Sequence, residues 1–141
     1  MPGILVGIDG SDTSRKALEW AVHEAGAQGT SLTVLAVHQV ATNYWTGDPE
    51  NYPTDAPETQ VVRQAAEDAV QKAVSQAGEP APTSVTVRAV TGVAAHELVN
   101  ASADADLVVV GSGGGGFLRK ALGSTSSQVA SHAQSPVVVI R

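Results

Sequence analysis

Cysteine is absent from the 141 residues, which excludes disulfide bonds, thiolate nucleophiles and Cys-ligated metal sites. Aromatic residues are almost as scarce. At 4% of the chain they leave Val, Leu, Ile and Ala to fill any core. Basic residues are few as well: eight Lys and Arg stand against fourteen Asp and Glu, a formal net charge of -6. A general DNA- or RNA-binding protein needs a basic face that displaces counterions, and this balance does not suggest one. A local basic spot for a small anion remains compatible with it. No apolar run approaches the ~18 residues needed to span a bilayer, so no membrane partner is expected. Met1-Pro2-Gly3 leads straight into a short apolar run without a basic region or a cleavage site, and the expected compartment is the cytoplasm.

What is present has the composition of a globular protein. Hydrophobic residues make up 43% and charged residues 16%, too apolar and too weakly charged for a disordered chain. The length fits a single domain, residues 1–141, with no internal repeat. At this size roughly two-thirds of the unfolded surface is buried, so aliphatic side chains alone suffice for a core.

Gly3 to Asp9 (GILVGID) is apolar on both faces, as a strand buried inside a parallel sheet would be. Ser11 or Asp12 caps the helix that follows. Its stripe is Ala17, Leu18, Ala21, Val22 and Ala25, and Gly26 or Gly29 ends it. Thr30 to Val40 reads as a second strand, rich in β-branched residues. Ala41 to Pro57 holds Asn, Tyr, Trp, Gly, Asp and Pro without a period, and is expected to be a long surface loop. Glu58 to Gly78 is helical by pattern, with Val62, Ala66, Ala69, Val70, Ala73, Val74 and Ala77 on one face, and Glu79-Pro80-Ala81-Pro82 breaks it. Ser84 to Val90 alternates as a third strand. Gly92 to Ala103 makes a short helix, Leu107 to Val110 a fourth strand, Ser124 to Ala133 a helix and Pro136 to Arg141 a last strand.

Strands and helices thus alternate. That order predicts an α/β fold, an open, doubly wound five-stranded parallel sheet with helices on both faces. In such Rossmann-like sheets ligands sit outside the carboxyl ends of the strands, where the winding reverses.

Two polar clusters fall at such ends. Asp9-Gly10-Ser11 follows the first strand and the glycine loop Gly111 to Gly116 follows the fourth. Glycines without a Cβ let backbone N–H groups converge and an anion approach the chain. Gly123-Ser124-Thr125-Ser126-Ser127 then opens a helix, whose free N–H groups and hydroxyls form a second donor set. Arg119 and Lys120 lie between the two. Together they describe a polyphosphate cradle, against the plainer alternative of a flexible glycine loop. It is neither the P-loop pattern nor the dinucleotide fingerprint. His23, His38, His96 and His132 are scattered with no i,i+4 pair, so no metal site is expected, and no G-x-S-x-G elbow supports a hydrolase.

Val109 to Arg141, the opening ILVGIDGSDTSRKAL and the segment DADLVVVG resemble the universal stress protein family over nearly the whole chain, apart from the loop Ala41 to Pro57. The family's ATP-binding members carry G-x2-G-x9-G-[ST]. Gly113, nine residues, Gly123 and Ser124 match its later part, while Gly111 stands two positions before Gly113 instead of three. The resemblance implies ATP or another adenine nucleotide as ligand, with Mg2+ carried by the phosphates. Carried over by position, Asp9 would accept a hydrogen bond from the adenine amino group or a ribose hydroxyl, and Ile8 and Val37 would flank the base. Gly111, Gly113, Gly114 and Gly123 would meet ribose and phosphates through the backbone, and Ser124, Thr125 and Ser126 would donate to the phosphates. The bland alternatives are a capping acid at Asp9, core residues at Ile8 and Val37, and a solvated charge at Arg119. The resemblance also implies a homodimer paired through the last strand. A nucleotide-dependent stress-response module is the first expectation. A slow ATPase or autokinase using Ser112 or Ser124, and a nucleotide-free interaction protein, are the alternatives.

Overall fold

The computed structural model describes residues 3–39, 57–112 and 124–141. They form, in chain order, β1 (Ile4–Ile8), α1 (Asp12–Gln28), β2 (Leu32–Gln39), α2 (Pro57–Ala77), β3 (Val85–Gly92), α3 (Ala94–Ser102), β4 (Leu107–Gly111), α4 (Ser124–His132) and β5 (Val137–Ile140). The strands make one sheet in the order β3-β2-β1-β4-β5, every pair parallel. The chain therefore winds outward from β1 to one edge, crosses back, and winds outward again to the other. This is the α/β architecture that the alternation predicts, because parallel neighbours require crossover connections and the helices supply them. Among the described residues no helix is long and apolar enough to cross a membrane.

Side chains alternate along each strand, so the register sorts them onto two faces. On one face Ile4, Val6, Leu32, Val34 and Val109 meet the α1 stripe and, from α2, Val70 and Ala73. On the other, Leu5, Leu35, Val108 and Val110 meet Leu98 of α3 and Val129 of α4. Burial on both sides is the physical reason that GILVGID and LVVV carry no polar alternation. The whole α1 stripe is buried. Leu18 and Val22 alone contribute roughly 1.5–3 kcal/mol each by leaving water.

The element ends follow local chemistry. Ser11 caps α1, its hydroxyl accepting the Ser14 N–H at 3.2 Å. Gly29 closes the helix in the left-handed region at φ 65°. Gly26 does not terminate it. It is buried in the last turn, where the Pro80 carbonyl fills the place of a Cβ. Pro57 opens α2, a first-turn position at which the missing N–H costs nothing. Strand β3 runs on to Gly92, past the Val90 expected, because Thr91 and Gly92 stay in register with His38 and Gln39. Gly92 accordingly belongs to the strand, and α3 begins at Ala94. Val40, the last residue of the expected second strand, and residues 41–56 of the expected loop, Tyr44 and Trp45 among them, lie outside the described residues, whereas Pro57 belongs to α2.

The two edges differ. At β3 the bond from the Leu32 N–H to the Ser84 carbonyl sets the even residues toward β2, so Val87 turns outward. Its carbonyl accepts a hydrogen bond from Arg63 of α2 at 3.4 Å. At β5 the Val108 and Ser112 N–H groups donate to the carbonyls of Pro136 and Ile140, so Val137 and Val139 turn their backbone groups outward.

Candidate functional site

The winding reverses between β1 and β4, and the strands part beyond their carboxyl ends there. A cavity of about 510 Å³ occupies that place. Its floor is aliphatic: Leu35 and Val37 of β2, Leu98 of α3 and Val110 of β4. Gly7 lies beneath Leu98, whose Cδ1 and Cδ2 stand 2.8 Å from the position that a Cβ on Gly7 would take. A strand residue without a side chain lets the leucine cross β1 and complete the floor. Val93, Ala94 and Ala95, where β3 passes into α3, form a side wall of small residues.

The rim is polar and comes from two helix starts. On one side stand Asp9, Ser11, Thr13 and Ser14, and on the other Thr125, Ser126 and Gln128, with Gly111 between them. Asp9 is exposed and oriented by a small network. Its Oδ1 accepts the Ser11 N–H at 2.9 Å, and its own N–H donates to Ser14 Oγ at 3.2 Å. Ser14 Oγ in turn donates to the Ser11 carbonyl at 3.0 Å. Partial burial pushes the Asp9 carboxyl up, but hydrogen bonding by Ser11, through side chain and backbone, and by Ser14 outweighs it. The pKa lies below the ordinary 3.8. Asp9 therefore faces the cavity as a carboxylate at neutral pH, an acceptor and not a proton donor. It is the one charged group among the described lining residues.

Across the cavity, Gly111 is glycine because of space. A Cβ there would stand 2.7 Å from the Thr13 carbonyl carbon, 2.8 Å from Thr13 Oγ1 and 2.9 Å from the Ser14 nitrogen. Helix α1 and the end of β4 thus touch backbone to backbone. Ser126, 2% exposed, donates from its hydroxyl to the Ser112 carbonyl at 3.1 Å. Thr125, half-buried in the first turn of α4, lines the same wall.

Of the residues singled out from the sequence, Ile8, Asp9, Val37, Gly111, Thr125 and Ser126 converge on this cavity. Ile8 also packs against the core on the α1 side, so the core reading of that residue holds as well. Ser124 begins α4, with its side chain outside the described residues. Gly113, Gly114, Gly123, Arg119 and Lys120 lie outside them too. Sequence reasoning missed Thr13, the Val93–Ala95 wall, Leu98 and Gln128. The available signal was Gly92 at the end of a strand followed by three small residues, a pattern that leaves room beside a strand end. Among the described residues no group of His, Asp and Glu is placed to hold a metal ion. The arrangement can accept a flat apolar group over Leu35, Val37, Leu98 and Val110, with hydrogen bonds to Asp9. Opposite lies the start of α4, whose first-turn N–H groups and partial positive charge favour an anion.

Comparison with known proteins places the chain among relatives. A family model described as the universal stress protein family matches residues 2–141. The chain is 35% identical over 147 aligned positions to universal stress protein YxiE of Bacillus subtilis, covering 98% of this chain and 97% of that one. It is 34% identical over 139 positions to a universal stress protein of Mycolicibacterium smegmatis, covering 98% of this chain and 47% of that protein. The chain spans about half the length of most of the curated relatives it matches. Among solved structures, universal stress protein UspA from Lactobacillus plantarum superposes with a TM-score of 0.76 at 24% identity, covering 99% of this chain and 97% of that one. A universal stress protein in complex with cAMP superposes with a TM-score of 0.68 at 26% identity, covering 99% and 96%.

Proposed function

This chain belongs to the universal stress protein family, and on that premise we propose that its cavity binds an adenine nucleotide, ATP first among them. The observation that carries the reading is the cavity at the winding reversal, which sets an aliphatic floor between an ionised Asp9 and the start of α4. The solved relative in complex with cAMP supports the ligand class. In this reading the base lies against Val37 and Leu98, and Asp9 accepts from the adenine amino group or a ribose hydroxyl. The α4 N-terminus, with Ser124 and Thr125, receives the phosphates together with the backbone of Gly111, Gly113, Gly114 and Gly123. Mg2+ arrives on the phosphates, since the described residues offer no carboxylate cage.

The chain then acts as a nucleotide-dependent regulatory module, a single cytoplasmic domain that pairs with a second copy through β5. Binding stabilises the conformation that prefers the ligand, and a partner reads that state.

Two measurements test this. Protein purified without added nucleotide is denatured and the supernatant examined for released adenylate. Refolded or apo protein is then titrated with ATP, AMP and cAMP by calorimetry. Saturable binding of at least one adenylate, without steady turnover of ATP, is the expected result. Absence of heat with all three removes the reading, and sustained phosphate release replaces the binding module with an enzyme.

A further inference from the structure

Serines in the first turn of a helix usually face solvent or cap the helix, yet Ser126 is buried. A buried hydroxyl needs a partner, and this one reaches back 14 residues to the Ser112 carbonyl. A hydroxyl has a single hydrogen, and in this arrangement it goes to the Ser112 carbonyl.

Ser112 is engaged on its other side too, its N–H donating to the Ile140 carbonyl at the end of β5 at 2.7 Å. Gly111, its neighbour, abuts the backbone of Thr13 and Ser14. Gly111-Ser112 is therefore held from three directions: by α1 through contact, by β5 through the backbone and by α4 through one side chain. Only the last hold depends on a hydroxyl. Gly111 and Ser126 line the cavity, whereas Ile140 lies on the far side of the turn, in the edge strand.

We infer that Ser126 is a positioning residue, whose hydroxyl holds the Gly111-Ser112 turn in the arrangement that receives the ligand and so links occupancy of the cavity to the end of β5. The inference rests on the nucleotide-binding reading above. Without the hydroxyl, the partly buried Ser112 carbonyl loses this donor and the turn populates other arrangements. A ligand that binds only the held arrangement then shows an apparent Kd raised by the inverse of the held fraction. By the same linkage, a ligand that selects the held arrangement protects the Ser112 amide, which belongs to the same turn.

The test uses the wild-type chain, Ser126→Ala and Ser126→Thr, titrated with ATP, together with hydrogen exchange of the Ser112 amide followed by NMR with and without saturating ATP. Ser126→Ala should weaken binding by about tenfold, the scale of one partly buried hydrogen bond. Ser126→Thr, which keeps the hydroxyl, should stay within roughly threefold of wild type on the same scale, and ATP should slow exchange at Ser112. If Ser126→Ala melts lower but its folded form binds as tightly as wild type, Ser126 is structural only and the inference is overturned. Should Ser126→Ala not fold, unchanged Ser112 exchange in the wild type at saturation overturns it equally. Wild-type protein that binds none of ATP, AMP and cAMP removes the nucleotide reading and this inference with it, whereas wild-type binding with an unaffected alanine variant refutes the positioning role alone.

Discussion

Replacing Gly111 with alanine probes the contact that joins the two sides of the cavity. The added Cβ would stand under 3.0 Å from three atoms, the Thr13 carbonyl carbon, Thr13 Oγ1 and the Ser14 nitrogen. Two of the three are backbone, so the strain cannot be relieved by a rotamer change. Helix α1 or β4 must shift by several tenths of an ångström, and Val109 and Val110, fully or nearly buried beside the glycine, resist that shift. Overpacking of this kind costs about 1–3 kcal/mol. For a chain of this size that lowers the melting temperature by roughly 3 to 10 °C. Circular dichroism melts and urea titration read the loss, and calorimetry with ATP reads the expected weakening of binding as the cavity wall moves. Thr13→Ala in the same chain should restore little, because it removes only one of the three crowded atoms. Gly10→Ala serves as the contrast: at φ 84° with no atom near its Cβ position, it carries backbone strain of about 1–2 kcal/mol but no crowding. A Gly111→Ala variant that melts within about 1 °C of wild type, or is rescued fully by Thr13→Ala, would show that α1 and β4 do not meet as described.

Three further outcomes are expected. Asp9 has a folded pKa below 3.8, so the folded chain holds fewer protons at this site than the unfolded one, and stability rises with pH through the window just below that value. That contribution is complete above 3.8 and is lost as pH falls through the folded pKa. In Asp9→Asn the slope of unfolding free energy against pH should accordingly flatten below about pH 4, and an unchanged slope would contradict the network around Asp9. Ser102 is fully buried, its hydroxyl donating to the Val99 carbonyl at 2.6 Å and accepting the Gln134 N–H at 3.0 Å. Ser102→Ala strands that N–H between α4 and β5 and should cost about 1–3 kcal/mol, seen as a lower urea midpoint at unchanged m-value. Ser11→Ala removes the cap of α1 and should cost about 1 kcal/mol by the same titration, whereas Ser11→Asp should retain most of it.

The fold was legible because its signals are one-dimensional. Apolar runs such as Ile4–Ile8 and Leu107–Val110 report burial on two faces, and the stripe from Ala17 to Ala25 reports a helix laid on one of them. Ends were less legible where a residue serves two masters. Gly26 looked like a helix stop, but it is glycine because Pro80 packs against it from another part of the chain. Gly92 looked like a helix start, but the ladder to β2 carries it into the strand. At the cavity, residues at strand ends such as Asp9 and Gly111 could be named, since sheet topology decides that such ends converge, while Val37 was named only through the family resemblance. Leu98 could not, because its place on the floor depends on the missing side chain of Gly7, some ninety positions away. Ser126 was named, but its bond to the Ser112 carbonyl could not be foreseen, because a hydrogen bond across 14 residues leaves no local pattern.

The unequal margins of the sheet have a consequence for how copies of this chain could join. One border turns main-chain groups outward at Val137 and Val139, without a partner among the described residues, while at the other a guanidinium from Arg63 already sits on the Val87 oxygen. Growth that alternates unlike borders would make an open filament, and the seated arginine works against it. Joining like border to like border would close on a twofold axis and consume those groups at once, which is how the pairing proposed above through β5 would stop at two.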